Sequence, residues 1–132
     1  MWNTFNNKGM VVYYPYFIAK KSGTLCIKNN SYIIEAVRGD LWNMVNLNDK
    51  DITYYKDLQG NTIGHHGDNI DFLSNTEQEE LHKQVPKLRK MFRDDLLEGK
   101  EVLVEWSYAI NCDSKRSEIS EPYLVFYEAR TI

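Results

Sequence analysis

Apolar residues along the chain gather in short blocks separated by polar punctuation. The first block, Met10 to Ala19, is broken only by Pro15. Its Val, Ile, Tyr and Phe content favours a buried strand, with Pro15 marking an edge, a bulge or a bend. Lys20-Lys21-Ser22-Gly23 reads as a turn. Thr24 to Lys28 and Tyr32 to Val37 then read as two strands around an Asn29-Asn30 hairpin turn, because asparagine tolerates positive φ. A loop with Gly39 and Asp40 precedes a short amphipathic piece, Leu41 to Val45. Ile52 to Lys56 is a further strand, turning at Asp57-Leu58-Gln59-Gly60 and returning through Thr62-Ile63. His65 to Asn69 is polar and reads as a surface loop.

The period then changes. Leu81, Val85, Leu88, Phe92 and Leu96 recur at the spacing of one helical face. Thr76 and Glu79 have the spacing of a capping box, and Gly99 is a fitting stop. Pro86 predicts a kink or two short helices in sequence. Lys83, Lys87, Arg89, Lys90 and Arg93 lie off the apolar stripe, and the basic run from Lys87 reads as a solvated face. Two alternating segments close the chain: Glu101 to Tyr108, and Tyr123 to Arg130. A charged loop from Asn111 to Glu121 separates them. The pattern predicts one α+β domain over residues 1–132, with a mainly antiparallel sheet and one principal helix packed on it.

Composition narrows the function classes. The chain has 132 residues, 42% of them hydrophobic and 27% charged, as in an ordinary globular domain. A formal charge of −3 lacks the basic excess of a nucleic-acid binder. The longest apolar run is about half of the ~20 residues a membrane helix needs. Cys26 and Cys112 are far apart and form no CxxC pair. Without a cationic leader, reduced thiols in a cytoplasm are the simpler reading, with no membrane partner.

Candidate chemistry sits on the last two strands. Alternation places Glu105 on a face with Leu103 and Ala109, and Glu128 on a face with Leu124, Phe126 and Arg130. Paired as a hairpin, the strands bring both carboxylates and Arg130 to one rim. Two opposed carboxylates suit Mg²⁺ shared with substrate phosphates, and a guanidinium beside them suits bidentate phosphate contact. The plainer alternative is a pair of exposed glutamates with Arg130 as their partner.

The same segments carry a family likeness. Val104-Glu105-Trp106-Ser107-Tyr108-Ala109, followed by Leu124-Val125-Phe126-Tyr127-Glu128-Ala129-Arg130, resembles the end of the ATP-grasp nucleotide-binding domain of phosphoenolpyruvate synthase and pyruvate phosphate dikinase. There an "EWA"-like strand and a "Q-A-R-P" strand follow a helix. Val11-Val12-Tyr13-Tyr14 through Ser22-Gly23-Thr24 resembles that family's "V-V-Q-x-M-V" strand and "S-G-V" turn. Ile34 to Gly39 resembles the strand before its glycine-rich turn.

The resemblance implies the C-terminal part of a phosphotransferase domain using Mg²⁺ and ATP. It implies metal ligation by Glu105 and Glu128, and contact of Arg130 with the nucleotide phosphates. It sets Tyr14, Tyr16 and Phe17 on the segment bordering the adenine. The expected partners are a nucleotide and the missing half of the ATP-grasp domain or a partner chain. An open sheet edge would favour a homo-oligomer. By itself the chain is expected to be inactive. The altered turn at Gly39-Asp40-Leu41-Trp42 and the missing first half support an alternative: a non-catalytic binding or assembly module that keeps the fold without the chemistry.

The remaining candidates read blandly. His65 and His66 point opposite ways along an extended segment, His82 lies on the helix, and no zinc-type spacing is present. Cys26 reads as a small core residue.

Overall fold

The computed structural model of the chain describes residues 17–40, 50–111 and 121–132. Residues 10–16 of the strand expected over 10–19, the piece Leu41 to Val45 with Trp42, and Cys112 lie outside the described residues, as do Tyr14 and Tyr16.

The order of elements is β1 (Phe17–Ile27), β2 (Ser31–Arg38), β3 (Ile52–Asp57), β4 (Thr62–His66), α1 (Asn75–Met91), α2 (Arg93–Leu97), β5 (Val102–Asn111) and β6 (Tyr123–Thr131). The strands form one six-stranded sheet in the order β4-β3-β2-β1-β5-β6. Every pairing is antiparallel. An α+β architecture with one principal helix is therefore the fold, as the alternating and helical periods predict.

Residues of one parity along each strand face the helices. Tyr32, Ile34 and Ala36 of β2 stand beside Leu25 and Ile27 of β1, Ile52 and Tyr54 of β3, and Val102, Val104, Trp106 and Tyr108 of β5. Leu81, Val85 and Leu96 close this core from the helical side, with Leu88 and Phe92 packed against it. The whole helical stripe read from the sequence is thus buried or half-buried. Burial of this kind contributes roughly 1.5–3 kcal/mol per large apolar side chain.

Several local expectations are corrected. Lys20 to Gly23 is not a turn, because β1 runs through it with only a register shift between Ala19 and Lys21. That shift brings Lys21 beside Tyr108, and its ammonium bonds Phe72 O at 2.6 Å and Glu77 Oε1 at 2.8 Å. Gly23 is a packing residue: a Cβ there would lie 1.8 Å from Glu35 O and 2.7 Å from the Trp106 ring. Ser74, not Thr76, is the N-cap of α1. Glu77 N donates to its hydroxyl, and the Glu77 carboxylate accepts from Ser74 N. The helix continues through Pro86 and breaks at Phe92 instead. His65 and His66 belong to β4 rather than to a loop. Arg89 is not a free surface cation, since its guanidinium donates at 2.7 Å to both Lys28 O and Asn29 O and clamps the β1–β2 turn to the helix.

Candidate functional site

β5 and β6 bring the predicted charged residues together. Glu105 stands directly opposite Glu128 and Leu103 opposite Arg130, on the face turned away from the helices. Arg130 Nη1 lies 3.5 Å from Glu105 Oε1 and 3.1 Å from Glu128 Oε2. One cation therefore stands between two anions that would otherwise repel across the strands. The side chains are 26%, 54% and 44% exposed for Glu105, Glu128 and Arg130, so water screens the trio.

One part of the expected face is different. The register shifts between Glu105 and Trp106, so that Trp106 meets Phe126 and Tyr127 is extra. Leu124 and Phe126 consequently share the helix side with Tyr108 and Trp106, while Glu128 and Arg130 take the opposite side. The hydroxyl of Tyr127 donates to Ser107 Oγ at 2.9 Å. Ser107 in turn meets Ser22 at 2.5 Å, and Ser22 donates to Gly39 O. Phe17, expected near an adenine, begins β1 opposite Asn111.

Among the described residues, no group of three His, Cys, Asp or Glu side chains is placed to hold a metal. Cys26 is half-buried and its thiol donates to Glu101 Oε1 at 3.3 Å. Burial first, then the Glu101 hydrogen bond and charge, push this thiol up to about 11, far from nucleophile range.

A second polar region was not singled out in the sequence. The turn between β3 and β4 and the first half of α1 enclose a cleft of about 560 Å³. Lys56, Asn61, Thr62, Gln78, His82 and Lys83 are among its lining residues. Lys56 is 4% exposed. Its parity with Ile52 and Tyr54 puts it on the helix side of β3, where a lysine must find partners. It donates at 2.6 Å to Thr62 Oγ1 and to Gln78 Oε1, with a longer contact of 3.4 Å to Gly60 O. The Tyr54 ring lies 5.5 Å from the ammonium. All of these acceptors are neutral, and burial lowers the Lys56 pKa.

The carboxylate next in sequence is otherwise engaged. Asp57 accepts from Gln59 N, Asn61 N and Asn61 Nδ2 and so shapes the turn. These bonds, led by that from Asn61 N, lower its pKa.

His82 forms the opposite wall. Tyr32 OH and His82 Nδ1 are 2.8 Å apart, and their rings stack at 5.9 Å. Burial pushes the Tyr32 phenol up to about 12, so it stays protonated. The bond has two forms: Tyr32 donates to Nδ1 with the ring proton on Nε2, or Nδ1–H donates to the phenol oxygen. Gly60, at φ +91°, packs its backbone on this ring, and a Cβ there would come within 3.0–3.1 Å of it. The sequence held one clue: Lys56 sits at an apolar parity within Ile52-Thr53-Tyr54-Tyr55-Lys56.

Comparison of the chain with protein-family models, with curated proteins and with solved structures finds no match. Among the described residues, no helix is long and apolar enough to cross a membrane.

Proposed function

We propose that this chain is a non-catalytic binding module whose small polar ligand sits in the cleft between the β3–β4 turn and α1. The observation that carries this reading is Lys56: a cation 4% exposed, held inside an open cleft by neutral acceptors alone. A merely structural lysine at such a site is more economically replaced by an apolar residue or paired with a carboxylate. Convergent polar groups in a concavity are what fixes the orientation of a bound ligand. Titrating the isotopically labelled chain with pools of small polar metabolites tests it by amide shifts. Shifts clustered at Lys56, Gly60, Asn61, Gln78 and His82 support the module. Their absence, or a cluster elsewhere, ends it.

A second reading has its own support. Glu105 and Glu128 directly oppose each other with Arg130 touching both, as Mg²⁺·ATP binding within a larger phosphotransferase of the ATP-grasp type would require. The two carboxylates fit a magnesium ion that takes its remaining oxygens from phosphates and water. When bound, the ion would relieve the carboxylate repulsion and free Arg130 to turn toward phosphate oxygens. Calorimetry with Mg²⁺ and ATP distinguishes the readings. Heat that disappears in Glu128→Ala favours the nucleotide; no heat from the wild type removes it for this chain.

A further inference from the structure

We infer that the cleft is an anion site, taking a small ligand through a phosphoryl or carboxylate group that becomes the contacting anion Lys56 lacks. The inference rests on the cleft-binding reading and adds the chemical class. Three features select an anion over a neutral polar ligand.

First, the lysine is under-coordinated. An ammonium has three protons to donate, and two are well placed on Thr62 Oγ1 and Gln78 Oε1. The third reaches only Gly60 O at 3.4 Å, a contact near the limit of hydrogen bonding, and is available to a better acceptor. Gln78 cannot turn to offer more, because its amide nitrogen is held by Leu73 O at 2.9 Å.

Second, further donors stand around the same space. Thr62 accepts from Lys56, so its hydroxyl proton is free to point into the cleft. His82 Nε2 is a donor in the tautomer in which Nδ1 accepts from Tyr32, the form an anion in the cleft would select. Lys83 adds a second ammonium at the rim.

Third, the acid at the rim does not neutralise the interior. Glu79 lines the cleft four residues before Lys83 on the exposed side of α1, so these two screen each other. Asp57 acts on Lys56 through its charge, but its oxygens are turned to Gln59 and Asn61 and make no contact with the ammonium. Lys56 is thus the cation that no anion touches, and it lies where the low dielectric makes a contacting anion's contribution largest.

The order of attachment follows. An oxyanion would be drawn first to exposed Lys83 and then take the buried Lys56, exchanging the long Gly60 contact for a charge-assisted bond. The turn does not need to open, because Asp57 holds it independently.

The test is calorimetry on the full chain at low ionic strength, with inorganic phosphate, pyrophosphate, citrate and uncharged glucose as separate ligands. The expected result is binding of at least one anion and not of glucose, with affinity falling as salt is added. Phosphate or pyrophosphate binding without citrate assigns a phosphoryl group; the reverse assigns a carboxylate. Lys56→Met should weaken the anion by about tenfold or more, as expected for one lost charge-assisted bond. If that variant does not fold, His82→Phe and Lys83→Ala must each weaken it instead. Glucose binding with no anion binding would overturn the anion class and leave the cleft reading standing. An anion whose affinity ignores all three substitutions overturns the site. No binding by any of the four ligands overturns the anion class, and metabolite-induced amide shifts at the cleft then decide whether the broader reading survives.

Discussion

Two charged regions at opposite ends of this sheet are built on opposite principles. At the β5–β6 end, one guanidinium lies between two carboxylates on a face open to water. At the β3–α1 end, one ammonium is enclosed with no carboxylate in ion-pair reach among the described residues. The first keeps one excess negative charge, yet each of its members has an opposite charge within reach. The second is unbalanced, and the imbalance is held in place by a hydrogen-bonded turn and a capped helix. Charge count alone would direct attention to the first region. Dielectric and partnering direct it to the second, because an unmatched charge matters most where water is scarce.

Substitutions can break this contrast, and the largest effect is expected from Lys56→Glu. A buried carboxylate there would face Gln78 Oε1, with Lys83 only at the exposed rim, so urea unfolding should show a loss of about 3 kcal/mol or more. Lys56→Met should cost far less, since the apolar stem is kept and no buried charge remains.

Alkaline pH separates the regions next. Tyr32 is protonated in the fold up to about pH 12 but titrates near 10 when unfolded. Above pH 10 the unfolded chain alone loses this proton, so its contribution is intact below 10 and is lost as pH rises toward 12. Lys56 acts oppositely: its lowered folded pKa makes stability rise with pH in the window just below 10.5. Unfolding stability between pH 8 and 12 should therefore fall less steeply in Tyr32→Phe, with the raised Cys26, Tyr54 and Tyr108 keeping part of the slope, and change little in Arg130→Ala.

Gly60→Ala probes the cleft wall. The φ of +91° and the His82 ring at 3.0 Å predict a cost of about 1–3 kcal/mol, with a shift of the His82 ring signals. The smallest effect belongs to the open face. Arg130→Ala leaves two opposed glutamates and should cost about 0.5–1 kcal/mol, largely recovered by adding Glu128→Gln. A recovery in that double variant would identify the trio as mutual compensation; its failure would point to a separate role for Arg130.

Much of the fold was legible because burial on one sheet face enforces alternation. Tyr32, Ile34 and Ala36 announce β2, and Leu81, Val85, Leu88, Phe92 and Leu96 announce the helical face. The errors have specific causes. Ser22-Gly23 reads as punctuation, yet Gly23 is needed in mid-strand to admit the Trp106 ring and Glu35 O. Both Ser74-x-x-Glu77 and Thr76-x-x-Glu79 satisfy the capping rule, and the structure uses the earlier. The bulge at Tyr127 moves Phe126 across the sheet from Glu128, which strict alternation does not anticipate. The meeting of Glu105 with Glu128 was readable from two strands. The cleft was not, because Tyr32, Lys56 and His82 come from three separate elements and only their packing brings them together.

The place of β1 in the sheet sets a timetable for the chain's production. β1 is central, with β2 on one side and β5 on the other. Its pairing with β2 is available as soon as the hairpin has left the ribosome, whereas Leu25 must wait for Val104, and Ile18 for Ile110. Through all of that interval the nascent sheet carries an unsatisfied inner edge, and such long-range closure is slow. The helix that arrives in between carries Arg89, which can fasten onto Lys28 and Asn29 before β5 exists. The clamp between helix and hairpin would then shield the apolar side of a half-made sheet while its last strands are still being translated.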